Sequence, residues 1–273
     1  MKRETTFLLM IIAFTGIANI VVAQDRHFSW TYESTTLPKG GIDIEPWVTY
    51  STGRENYYSK YESRIEFETG LTDKLQTALY LNAKHETKAL TDSSGNITGL
   101  GSGSGYSFSN EWKLNILNPS TAMIGLGLYA EYGISPDEVE LEFKLLLDKK
   151  TAKSIIAYNL VSEIEFEKEF EAEENGEGEI ETEREFVIEN DLAYMYLFKP
   201  NFGLGLEARN HNEFVDGEME HAAVFLGPTL FFSQKNFFAI VNIMPQLINL
   251  KGGGTDLDEH TKLTARILFG VSL

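Results

Sequence analysis

The chain has 273 residues, 42% hydrophobic, 12% aromatic and 23% charged, enough for one large all-β domain or two small ones and too apolar for a disordered chain. A formal net charge of −18 argues against nucleic acid as a partner and against simple attraction to anionic lipid surfaces. With no cysteine, there is no disulfide framework, no thiolate metal site and no lipobox cysteine for an acyl anchor.

The chain begins with Met1-Lys2-Arg3, continues through an apolar stretch from Phe7 to Val22, and reaches Val21-Val22-Ala23 before Gln24-Asp25. A basic start, an apolar run and a small-residue site spell a secretory signal peptide over residues 1–23, cleaved after Ala23. The run is about 16 residues, short of the roughly 20 that a membrane-spanning helix needs. Residues 24–39 then read as a periplasmic N-terminal segment and residues 40–273 as the structured domain. No later segment resembles a transmembrane helix, so this domain is either soluble in an exported compartment or crosses a membrane as strands.

Alternation begins at once. Tyr61, Ser63, Ile65, Phe67 and Thr69 occupy one face of a strand, Glu62, Arg64, Glu66 and Glu68 the other. After a turn over Gly70 to Lys74, Leu75, Thr77, Leu79, Leu81 and Ala83 alternate against Gln76, Asn82 and Lys84. About twelve such segments follow one another, starting near Ile42, Tyr61, Leu75, Tyr106, Ala122, Val139, Ser154, Phe186, Phe202, Ala222, Phe237 and Lys262.

The connections alternate too. Tight ones at 72–74, 118–121, 148–151, 198–201 and 233–236 take turns with longer polar ones at 51–59, 85–105, 133–138, 171–179, 212–219 and 249–259. A soluble sandwich has no reason to sort its connections by length onto two ends, whereas a transmembrane barrel has short periplasmic turns and long outer loops. The expected fold is therefore an all-β, single antiparallel transmembrane barrel of about twelve strands, with both termini periplasmic. The charged face lines the lumen, and the expected pore-lining residues are Glu62, Arg64, Glu66, Glu68, Glu140, Glu142, Lys144, Glu163, Glu165, Glu185, Glu189, Asp191, Glu207, Arg209, Lys262 and Arg266. Gly125, Gly127, Gly203 and Gly205 leave room in that lumen, and Trp47 and Tyr129 narrow it. Trp47, Tyr57, Tyr58, Tyr80, Trp112, Tyr129, Tyr194, Tyr196 and Phe202 are candidates for interfacial girdles.

The closing segment, Lys262 to Leu273, resembles the terminal strand that outer-membrane proteins present to the barrel-assembly machinery, with Leu273 in place of the usual aromatic. The stretches "YESTTLPKGGIDIEPWVTYSTGR" and "ETGLTDKLQTALYLN" resemble the opening of a group of uncharacterised porin-like outer-membrane β-barrel proteins of Gram-negative bacteria. That resemblance implies a barrel and a bacterial outer membrane, and no defined substrate.

The five histidines, His27, His85, His211, His221 and His260, form no tight pairing with serine in sequence, and His211 shares an inward face with Glu207 and Arg209. No catalytic residue, metal ligand or cofactor is expected. The acidic run Glu163 to Glu179 reads as a solvated hairpin, with a cation-attracting vestibule or a weak Ca²⁺ site as the alternative. "GLGSGSGY", Gly99 to Tyr106, lacks the Lys-Ser/Thr of a phosphate loop and reads as a flexible surface loop. The expected function is a passive, porin-like channel for small cationic or zwitterionic solutes, in contact with outer-membrane lipid and lipopolysaccharide. A non-conducting surface barrel that binds through acidic loops is the alternative, and a lipid-modifying enzyme the third.

Overall fold

The computed structural model describes residues 26–172, 178–215 and 217–273, without the side chains of 169–181. The expected signal peptide lies outside the described residues, as does most of the acidic connection 171–179. Twelve strands follow in chain order: β1 (Ile42–Thr52), β2 (Tyr58–Thr72), β3 (Leu75–Thr91), β4 (Ile97–Leu117), β5 (Gly125–Ile134), β6 (Glu138–Lys150), β7 (Ser154–Ala172), β8 (Gly178–Lys199), β9 (Phe202–Val215), β10 (Glu218–Gln234), β11 (Phe237–Asn249) and β12 (Leu263–Ser272). Each pairs antiparallel with its neighbours in sequence, and β1 pairs with β12 from Asp43↔Ser272 to Thr52↔Leu263, so the barrel closes. Closure leaves no backbone edge unpaired, the condition for strands to stand in hydrocarbon.

Period two decides which side chains meet which solvent. In β5, Gly125, Gly127, Tyr129, Glu131 and Gly133 point inward and are buried, while Leu126, Leu128, Ala130, Tyr132 and Ile134 point outward. Around the barrel Ile65, Phe67, Leu79, Leu81, Phe143, Leu160, Leu192, Leu206 and Ile243 are exposed. A band of this extent is stable only against lipid. Near the short turns it ends in an aromatic belt in which Tyr196 meets Phe198, Phe198 meets Phe202 and Phe237 stacks on Phe269. On the other side Tyr50 packs against Tyr61 at 4.7 Å.

Four of the girdle candidates face inward, which for Trp47 and Tyr129 is the lumen-narrowing position also expected of them. Tyr80, Tyr129 and Tyr58 are buried, and Trp47 packs against a lumenal apolar cluster. Their place in the two-residue period, not their aromaticity, fixes their side: Tyr80 shares the inner face of β3 with Gln76 and Ala78. The expected flexible loop over Gly99 to Tyr106 is also strand. β3 and β4 stay paired out to Thr91↔Ile97, and the hairpin turns over residues 92–96. Small side chains suit this extension, where Thr87 meets Ser102 at 3.0 Å across the strands. β7 and β8 remain paired out to Ala172↔Gly178.

Candidate functional site

The lumen is divided into two parts. Residues 26–39 lie inside the barrel in its short-turn half, and the wall supplies partners for their backbone. Lys39 N–H donates to Asp73 and Leu37 N–H to Gln76, both beside the β2–β3 turn. Ser34 N–H donates to Asp148 at the β6–β7 turn, and Asn115 donates to the Ser34 carbonyl at 2.7 Å. Further from the turns, Asn159 clamps Tyr32 at both ends, accepting from its N–H at 2.6 Å and donating to its carbonyl at 2.9 Å. The apex of the segment is held by one carboxylate. Ser29, Trp30 and Thr31 N–H groups donate to Glu207 at 2.9, 2.8 and 3.0 Å, and the Thr229 hydroxyl donates to the same group at 2.7 Å. Three successive amides converging on an anion form a nest that an extended strand cannot offer.

The wall is also shaped for this segment. A Cβ on Gly127 would sit 3.1 Å from the Cβ of Ser34, one on Gly125 would meet the Ser34 hydroxyl at 2.6 Å, and one on Gly70 would meet the Pro38 carbonyl at 2.2 Å. The room expected from Gly125 and Gly127 is thus filled largely by residues 26–39, that at Gly203 by Met195 and Leu197, and that at Gly205 by the Tyr194 carbonyl and Met195. Phe28 is fully buried among Ile155, Met195, Phe231, Phe238, Ile240 and Leu268. Apart from Trp47, these lumenal apolar residues are not among those expected on the inner face. The signal was present in the runs Ile155-Ile156-Ala157 and Ile267-Leu268-Phe269, since strands buried on both faces read as continuous apolar stretches.

Above the segment runs a row of alternating cations and rings. Trp30 lies between Arg209, at 4.0 Å, and Arg266, at 3.4 Å. Arg266 also covers Trp47 at 4.2 Å, and Arg64 reaches Trp47 at 5.3 Å and Tyr80 at 4.3 Å. Ring faces are the negative ends of their quadrupoles, so these guanidiniums are held apart by aromatic spacers. Beneath them Arg26 bridges Glu45 at 2.7 Å and Glu66 at 3.3 Å, while Tyr32 has Arg26 at 4.7 Å and Lys144 at 4.5 Å over its ring.

The other half of the lumen is an open vestibule. A cavity of about 720 Å³ has Trp30 on its floor and is lined by nine glutamates against four arginines and lysines. A second, of about 740 Å³, reaches down to Trp47 and shares Lys60, Glu62, Glu165 and Glu167 with the first. Of the residues expected to line a pore, Glu62, Glu163, Glu165, Glu185, Arg209 and Arg266 line the first cavity and Arg64 and Glu140 the second. Glu142 pairs with Lys144 at 3.1 Å, both half-buried. Lys262 is exposed at the rim. Glu66, Glu68, Glu189, Asp191 and Glu207 are buried: Glu66 receives Arg26 and the Trp47 indole N–H, Glu189 and Asp191 receive Arg209, and Glu207 holds the segment. Trp30, Tyr32 and Asn159 belong to the site and were not among the expected residues.

At the vestibule mouth the connection between β11 and β12 folds over β9 and β10. His260, on this connection, packs edge-on to His211 and His221 at 5.2 and 5.8 Å between ring centres. Burial and the neighbouring His211 push the His260 imidazole down to about 4. Asp256 is held below the usual carboxylate range by its hydrogen bond and charge interaction with His221, which outweigh its burial. On the outer face His85 Nδ1 lies 2.8 Å from the Ser104 hydroxyl. Among the described residues no acid or amide is bonded to its other ring nitrogen.

The fold is that of outer-membrane β-barrels. The chain is similar to the COG4313 outer membrane channel from Pseudomonas putida F1, with a TM-score of 0.63 and 11% identity, covering 90% of this chain and 100% of that one. It is also similar to the translocator domain of the autotransporter NalP from Neisseria meningitidis, with a TM-score of 0.59 and 9% identity over 98% and 97%. The NanC porin gives a TM-score of 0.51 at 10% identity over 85% and 100%. No curated protein is similar to the chain in sequence. The model of the "Family of unknown function (DUF6662)" matches residues 20–273, and the chain belongs to that family.

Proposed function

We propose that the protein is a channel of the Gram-negative outer membrane, with its short turns in the periplasm, that passes small cationic or zwitterionic solutes when its own residues 26–39 give way. One observation carries the reading: a wide acidic vestibule ends on a segment bonded to the wall through side chains of many strands, not built into the sheet. A barrel that served only as a scaffold would have no use for a lumen open on one half and stoppered by a separate strap on the other. Lipid and lipopolysaccharide meet the apolar band, and β12 presents the terminal strand on which the assembly machinery acts. The reading assigns the protein no reaction.

In planar bilayers under a salt gradient, the purified barrel is expected to show rare openings whose reversal potential favours cations. The preference should fade as salt rises and the Debye length falls from about 10 Å at 0.1 M to about 3 Å at 1 M. Changing Glu140, Glu142, Glu163 and Glu165 together to Gln should cut the cation preference severalfold, and anion preference in the unaltered protein would overturn the proposed solute class. A second reading, a non-conducting surface barrel, is favoured by the apolar packing around Phe28. No openings from folded protein, under any condition that loosens residues 26–39, would select it.

A further inference from the structure

Three of the chain's five histidines meet at the vestibule mouth, although they come from β9, β10 and the β11–β12 connection. We infer that His211, His260 and Glu213 form a binding site for a divalent transition-metal ion of the Zn²⁺ type, with His221 as the adjoining fourth donor. The inference goes beyond the channel reading and does not depend on conduction.

Four observations carry it. The ligand atoms of His211, Glu213 and His260 lie within 4.8 Å of one another, so small side-chain rotations bring them to the spacing of a shared ion. Two of the rings are already oriented by carboxylates. Glu189 lies 2.9 Å from Nδ1 of His211, and Asp256 lies 2.8 Å from Nδ1 of His221, which leaves Nε2 as the available ligand atom of each. A carboxylate on the far nitrogen is the usual support of a metal-binding histidine, because it fixes the tautomer and raises ligand basicity. Thirdly, Nε2 of His260 is buried and has no hydrogen-bond partner among the described residues, an uncompensated polar atom that a metal ion would satisfy. Finally, the donors are two or three imidazoles and one carboxylate, a set that suits Zn²⁺ and its first-row neighbours and does not suit Ca²⁺, which takes oxygen ligands.

Charged groups face the cluster from several elements. Glu185 and Glu189 face it from β8, Arg209 from β9, Asp256 and Glu259 from the connection, Arg54 from the β1–β2 connection and Arg266 from β12, with Arg209 engaged by Glu189 and Asp191.

The test is calorimetric titration of the full-length protein in detergent with ZnCl₂, and with CaCl₂ as the control. One Zn²⁺ per chain is expected, at least tenfold weaker in His211→Gln and in His260→Gln, and unchanged in His85→Gln, whose histidine lies on the outer face. Heat-dependent gel migration establishes that each variant is folded. Should the lumenal variants fail to fold, the unaltered protein still decides: Co²⁺ should give the intense visible absorption of a four- or five-coordinate nitrogen site, and Zn²⁺ should abolish it. No Zn²⁺ binding, equal binding of Ca²⁺, undiminished binding in the doubly substituted His211→Gln/His260→Gln protein, or a purely octahedral Co²⁺ spectrum would overturn the site.

Discussion

Replacing Glu207 with alanine is expected to unseat residues 26–39 and turn rare channel openings into frequent ones, with the barrel intact. The side chain accepts from three backbone N–H groups of the segment and from Thr229, all within a buried part of the lumen. A buried donor left without an acceptor costs about 1–3 kcal/mol, so the three amides alone put the loss at about 3 kcal/mol or more. Each 1.4 kcal/mol is a factor of about ten, so the ratio of seated to unseated segment should fall about a hundredfold. The strand ladders on either side of Glu207 do not involve its side chain, so heat-dependent gel migration should stay as in the unaltered protein. Glu207→Gln should be intermediate, because the amide keeps one acceptor oxygen. Open probability in planar bilayers measures the effect, and an Ala variant indistinguishable from the parent would show that this carboxylate does not hold the segment.

Trp30→Ala should loosen the same segment from its other side. The indole sits between Arg209 and Arg266, donates to Asn242 at 3.2 Å and packs against the cluster of Ala223, Phe225 and Met244. Truncating a packed tryptophan costs about 3–5 kcal/mol, and here it also brings two arginines into view of each other without the ring between them. In a background carrying Ser34→Cys, modification by a bulky maleimide should therefore run about a hundredfold faster with Trp30→Ala than without it. Trp30→Phe keeps a ring between the arginines and loses only the Asn242 bond, so its labelling rate should stay within about tenfold of the parent. Equal rates in all three would separate Trp30 from the seating of the segment.

The barrel was legible because its information is local and periodic. Phe67 and Glu68 fall on opposite faces of β2 whatever the rest of the chain does, and the alternation of short and long connections follows from one membrane with two different sides. What could not be read were features that depend on register between distant strands. Nothing near Asn159 in sequence announces that its amide will clamp Tyr32, and nothing near Glu207 distinguishes it from Glu165, although one is buried under the segment and the other faces the vestibule. The glycines at 125 and 127 were visible as missing volume, yet what fills it is decided by Ser34, more than ninety residues earlier. The histidines were visible one by one, and their meeting depends on how the β11–β12 connection folds back. The extended β3–β4 hairpin reads as a loop because Gly and Ser dominate it, while the strand ladder and a cross-strand hydroxyl pair, Thr87 with Ser102, continue through it.

The central claim is that residues 26–39 occupy the conduction path and must leave it for solute to pass. The chain contains no cysteine, so Ser34→Cys with Gly127→Cys introduces one unambiguous pair. A Cβ at 127 would lie 3.1 Å from that of Ser34, close enough to the 3.5–4.5 Å of a disulfide that a small shift lets the bond form. In a planar bilayer the oxidised protein is expected to be silent, and reductant added to the same membrane is expected to restore openings. Equal conductance in the oxidised and reduced states, whether substantial or nil, would contradict the account.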